Sequence, residues 1–168
     1  MKLRTLTRTY LLEAARIDPA KAPRITNQPI WTPVLVMGAG NDPDKTHLVR
    51  SIKKEVDDNG KKGCFLVMVQ SLFEAISLED FGSFYAQNLV EYKTAFKFDY
   101  KNSQHHLKEL KRGKKDRIYV YPYTGKLGRF LFILEVAHKN QMQTAPETKK
   151  YAEDIIKEIL DSKLMVFI

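Results

Sequence analysis

Cysteine is almost absent from this 168-residue chain: Cys64 stands alone, so no internal disulfide can form. It lies in the apolar run Cys64-Phe65-Leu66-Val67-Met68-Val69, which reads as a buried strand carrying an inert thiol. Long hydrophobic runs are missing too, and none approaches the roughly 20 apolar residues of a membrane helix. Residues 1–16 alternate basic and apolar side chains without a cleavage pattern, so a cytoplasmic protein with no membrane partner is expected. The glycine motifs are incomplete. Met37-Gly38-Ala39-Gly40-Asn41-Asp42 holds a Gly-x-Gly without the third glycine of a dinucleotide fingerprint, and Thr124-Gly125-Lys126 lacks the first glycine of a P-loop. His105 and His106 are adjacent and on a helix would diverge by about 100°, no Cys/His set completes a zinc site, and no Gly-x-Ser-x-Gly is present. No cofactor or metal is expected.

What is abundant is positive charge, with 28 Lys and Arg against 20 Asp and Glu, a net charge of +8. It is unevenly placed: six basic against two acidic residues in 1–30, eight against ten in 31–100, and fourteen against eight in 101–168. Such a balance is the footprint of a polyanion binder, although solvated lysine faces produce the same count.

The length suits a single α/β domain, headed by a basic N-terminal helix or arm and a proline-rich connector within residues 1–30. Leu3, Leu6, Tyr10, Leu11, Ala14 and Ala15 fit one helical face, whereas Thr5, Thr7 and Thr9 favour an extended arm. Pro19, Pro23, Pro29 and Pro33 then exclude regular structure up to Trp31, which is expected at the sheet edge. Val34 to Met37 reads as a strand. A helix follows, capped by Asp42 or Asp44, with Leu48, Ile52 and Val56 on its inner face and a stop at Asn59-Gly60. With Cys64 to Val69 as a second strand, this makes a βαβ unit. Further on, the patterns suggest a helix over 78–95, a basic exposed helix over 101–117 turning at Gly113, and a strand over 118–123. Residues 127–140 suit an apolar helix better than a hairpin strand, residues 146–162 form an amphipathic helix, and residues 164–168 a closing strand. The expected architecture is three-layered and flavodoxin- or Rossmann-like, a largely parallel central sheet with helices on both faces. Ligands would then bind at the loops 38–44, 70–74 and 121–128.

A strand ending in Met-Gly, a helix soon after, and a later strand followed by a glycine loop and an apolar helix with one glutamate resemble the nucleoside 2-deoxyribosyltransferase-like and TIR-like group. The resemblance spans roughly residues 34–140. It implies a flavodoxin-like fold and a glutamate acting at the anomeric carbon of a nucleoside or dinucleotide. Gly38 and Gly40 match the first loop and Glu135 the catalytic glutamate. Read from the residues alone, Glu135 is equally an i,i+4 partner of Lys139.

Two function classes follow. The first is a nucleoside- or nucleotide-binding protein that cleaves or transfers an N-glycosidic bond, with Glu135 as nucleophile, Gly38 and Gly40 allowing close approach, and Asp42 or Asp44 holding sugar hydroxyls. The second is a non-catalytic nucleic-acid-binding or assembly protein using Lys108, Lys111, Arg112, Lys114, Lys115 and Arg117 with Arg4, Arg8 and Arg16. A plain scaffold that pairs with another protein, a second copy included, is compatible with either.

Overall fold

A computed structural model describes residues 1–168. Strand β1 (Lys2–Thr5) leads into helix α1 (Arg8–Ala14), whose first turn is closed by the Thr7 hydroxyl accepting from the Tyr10 amide. The proline-rich connector holds one short 3-10 turn (Pro19–Lys21) and delivers the chain to β2 (Thr32–Met37). A second 3-10 turn (Pro43–Lys45), capped by Asp42, precedes α2 (His47–Glu55), capped by Thr46. Helix α3 (Asn59–Ala75) follows at once, and a third 3-10 segment (Phe81–Gln87) leads to a four-strand meander: β3 (Glu91–Tyr100), β4 (Ser103–Arg112), β5 (Asp116–Gly125) and β6 (Gly128–His138). Helix α4 (Pro146–Asp161) and the two-residue β7 (Val166–Phe167) close the chain. No helix is long and apolar enough to cross a membrane.

The seven strands form one sheet in the order β3-β4-β5-β6-β2-β1-β7. Only β2 with β6 and β1 with β7 run parallel; every other pairing is antiparallel. This corrects the largely parallel, flavodoxin- or Rossmann-like sheet expected from the apolar runs. The strand expected at 64–69 lies inside α3, where Phe65, Met68, Val69 and Leu72 turn inward at helical spacing. Cys64 and Leu66 are half-buried and Val67 is exposed, so the apolar run extends over the outer side of the helix too, and six such residues do not distinguish it from a buried strand. The helix expected to run to Gly60 ends at Glu55. Asn59-Gly60 begins the next helix instead of stopping the last, because Asp58 is extended (φ −133°) and accepts from the Lys61 amide as an N-cap.

The helices expected over 78–95, 101–117 and 127–140 are replaced by the third 3-10 segment and most of the meander. Both faces of the central strands are covered, so Ile118 to Val120 and Leu131 to Leu134 are buried without the alternation that marks a half-exposed strand. Segment 3–16 divides between β1 and α1, so both readings of it hold in part. The strand over 34–37, the strand over 118–123 and the amphipathic helix over 146–162 lie where expected.

One core fills the face covered by α1, α2 and α3, with Leu35, Leu110, Ile118, Val120, Leu131 and Ile133 from the sheet. The other lies under α4, where Ile156 and Ile159 meet Leu107, Tyr119, Tyr121, Phe132 and Leu134. Trp31 is buried in the first core and donates from Nε1 to the carbonyls of Leu78 and Glu79.

Candidate functional site

Strand β2 pairs with β6 only from Thr32 to Val34, and beyond that point the two diverge. The chain leaving β2 bends through Gly38–Asp42, and α2 moves in beside the freed part of β6, where Ser51 Oγ accepts from the Val136 amide at 2.9 Å. A cavity of about 840 Å³ opens at this fork. Its walls include Gly38, Gly40, His47 and Arg50 on one side and Tyr151 and Glu158 of α4 on the other.

Glu135 sits behind this cavity because of a β-bulge. The pairing of β5 with β6 shifts between Tyr119 and Val120, so Tyr119 opposes Glu135 while Val120 opposes Ile133. The extra residue turns Glu135 away from the first core and onto the α4 face, the re-aiming that bulges perform. There its Oε1 accepts from Thr148 Oγ1 at 3.1 Å, and its Oε2 lies 3.3 Å from His47 Nε2. Both Oε2 and Nε2 are buried, and neither makes a hydrogen bond. The His47 ring stacks on Tyr151 at 3.8 Å between centroids. Burial, followed by the charges of Glu135 and Glu158, pushes the Tyr151 phenol up to about 12, so it is neutral at physiological pH.

Of the residues expected at a ligand loop, Gly38, Gly40 and Asp42 line this cavity. Asp42 is engaged in capping the Asp44 amide and faces Lys45 at 3.8 Å. Asp44 points elsewhere, to Lys53 at 3.0 Å. Glu135 does not line the cavity, because His47 stands between.

The basic residues expected to act together are divided by the strand pleat. Lys108 and Arg112 face the α1–α3 side, where Lys108 donates to Thr94 Oγ1 and lies over the Tyr92 ring. Lys111 and Arg117 oppose each other on the α4 side. Arg117 is buried beside the equally buried Glu109 at 3.3 Å, with Lys93 opposite Glu109 on the neighbouring strand. Lys114 and Lys115 occupy the exposed hairpin tip. Lys139, just past β6, has its ammonium pushed toward neutrality by burial, with Arg117, Lys93 and Lys111 adding to the effect and Glu109 opposing it. In the N-terminal segment, Arg4 lies over Tyr10 and Arg8 reaches Gln70 at 2.7 Å and the Pro23 carbonyl, while Arg16 is exposed.

Along the outer strand β3 the same face carries Phe96, Phe98 and Tyr100, all half-buried, with Phe96 and Phe98 stacked at 5.7 Å. Lys149 stands over Phe96, and Lys101 and Lys157 stand over Tyr100. His105 joins this row beside Phe98, whereas His106 faces Thr94 on the opposite side. No three His, Cys, Asp or Glu side chains gather in a metal-holding group. Cys64 is half-buried on α3, and burial, then Asp116, raises its thiol pKa, which makes it a poor nucleophile.

His47, Arg50, Tyr151, Glu109, Lys93 and the β3 aromatic row escape a reading of the sequence. Each gains its meaning from strand register or from α4 folding back over the sheet. No protein-family model, curated protein or solved structure matches this chain.

Proposed function

We propose that the chain binds single-stranded nucleic acid along the α4 face of β3 and β4, through phosphate contacts and base stacking. The observation that carries this reading is the β3 row of Phe96, Phe98 and Tyr100 with Lys149, which has no ion pair, over Phe96. Lys101, Lys157, Lys93 and Lys111 stand alongside, each beside one carboxylate (Asp161, Glu153, Glu109 and Glu91). Aromatic faces beside a cationic track are how single strands are held without a sequence code, at about 1–3 kcal/mol per stacked base. Duplex reading by α4 fits less well. Its apolar side is packed on the sheet, and its outer side mixes Lys150 and Lys157 with Asp154 and Glu158 instead of presenting one sign of charge.

Fluorescence anisotropy of a labelled oligouridylate across a salt series tests the proposal. Affinity should fall with salt, and replacing Lys93, Lys111 and Lys149 together by Ala should flatten the slope by roughly 2, at about 0.7 per phosphate on a single strand. An absence of binding at low salt, or a triple variant that keeps the parent slope, rejects the proposal.

A nucleoside-transfer reading through Glu135 as nucleophile draws less from the geometry. Its carboxylate is shielded by His47, and the antiparallel meander is not the sheet that the resemblance implies.

A further inference from the structure

We propose that the cavity where β2 ends is a second, separate site for a small sugar phosphate of about nucleoside monophosphate size, with Arg50 taking the phosphate and His47 a sugar hydroxyl. The volume of about 840 Å³ falls in the range of small-molecule pockets. Its polar groups are unequally occupied. Asp42 already serves the Asp44 amide and Lys45, whereas Glu158 on the α4 wall has no ion pair and leaves the Arg50 side as the place for an anion. Arg50 is exposed and has no carboxylate within salt-bridge distance, which leaves its planar fork free for a phosphate.

The glycines of the loop point the same way. A Cβ on Gly38 or Gly40 would meet nothing within 4 Å, and neither residue has a positive φ. Neither packing nor backbone conformation therefore requires glycine there, whereas a ligand lying against the loop would. Apolar walls at Val36 and Ile155 suit a base or another flat group attached to the sugar.

Glu135 is a positioning residue for His47. The Glu135 carboxylate, 3.3 Å from Nε2 without a hydrogen bond, favours the tautomer whose proton is on Nε2; that tautomer leaves Nδ1 as an acceptor, and Nδ1 makes no hydrogen bond to the protein. Thr148 fixes the carboxylate from behind and Tyr151 fixes the plane of the ring. A clamp whose only role was to tie α2 to β6 would need neither the free arginine nor the open glycine loop.

Titrating ¹⁵N-labelled protein with ribose 5-phosphate and adenosine 5′-monophosphate, and with inorganic phosphate and adenosine as the separate halves, tests the site. Both esters should give saturable shifts at Gly38, Gly40, His47 and Arg50, and each half should bind more weakly. Arg50→Ala should weaken ester binding about tenfold, the loss of a charged hydrogen bond, and leave oligouridylate binding unchanged. Glu135→Gln should move the His47 proton from Nε2 to Nδ1, visible in two-bond ¹⁵N–¹H spectra, and weaken the esters but not inorganic phosphate. Absence of saturable shifts from all four probes, or ester shifts that Arg50→Ala leaves intact, overturns the site. Inorganic phosphate binding as well as the esters overturns the sugar assignment. Arg50 lies at the surface, so its variant remains informative if Glu135→Gln does not fold.

Discussion

Glu109 shows how much a single residue depends on its neighbours. Its side chain and that of Arg117 are each 5% exposed, and the two charges face one another across β4 and β5 with little water to screen them. Removing one partner strands the other: Glu109→Ala should lower stability by about 3–5 kcal/mol in urea unfolding. Replacing both, Glu109→Leu with Arg117→Met, should recover most of that loss, because the desolvation of both charges disappears with them. If the double variant is as unstable as the single one, the loss in Glu109→Ala does not come from stranding Arg117. Glu135 teaches the complementary lesson. Its visible partner in the sequence is Lys139, four residues on. In a strand that separation is about 13 Å, beyond the reach of an ordinary ion pair. The groups it meets, His47 and Thr148, belong to other elements.

At the scale of elements, two glycines make opposite predictions. Gly63 lies on the exposed side of α3, and a Cβ there meets nothing within 4 Å, so Gly63→Ala should raise stability by about 0.5–1 kcal/mol. Gly113 at the β4–β5 tip has a φ of +62°, and although a Cβ would find open space there, Gly113→Ala should lower stability by about 1 kcal/mol. Thermal unfolding of the two variants should therefore move in opposite directions. The elements legible in the sequence were those with one wet side: α4, with Ile156 and Ile159 inward and Lys157 and Glu158 outward, and the inner face of α2. Segments covered on both sides lost their period. Phe130 to Leu134 and Cys64 to Val69 are both apolar throughout, yet the first is strand and the second helix, with Val67 left exposed. The loop 38–42 was legible as a cavity wall because its glycines announce it. The opposite wall was not, since Tyr151, Ile155 and Glu158 of α4 lie far along the chain from the loop they face.

At the scale of the molecule, α4 is tied across the sheet at both ends, through Thr148 to β6 and through Asp161 to the β3–β4 turn. Lys101 and the Tyr100 hydroxyl hold the Asp161 carboxyl below its ordinary value of 3.8. A depressed carboxylate contributes stability that is present above its unfolded value and lost as the pH falls through its folded value. Asp161→Asn should thus be less stable than the parent near neutral pH, and the two unfolding midpoints should converge as the pH falls below 3.8. A gap that persists in acid would assign the contact to packing and not to charge. The net charge of +8 acts at this scale as well, supporting solubility and encounter with polyanions without selecting a fold.

The fork between β2 and β6 has an implication for how the protein could be altered. Parallel strands that begin to pair tend to go on pairing, as a zipper does, and here the slider stops at Val34 and Phe132, just before the β6 bulge; beyond the bulge, Ser51 takes the Val136 amide. The split therefore coincides with an irregularity in the strand itself, and the α2 hydroxyl satisfies an amide that the split leaves free. A chain without that hydroxyl would leave the Val136 amide without its partner and would not reseal the sheet.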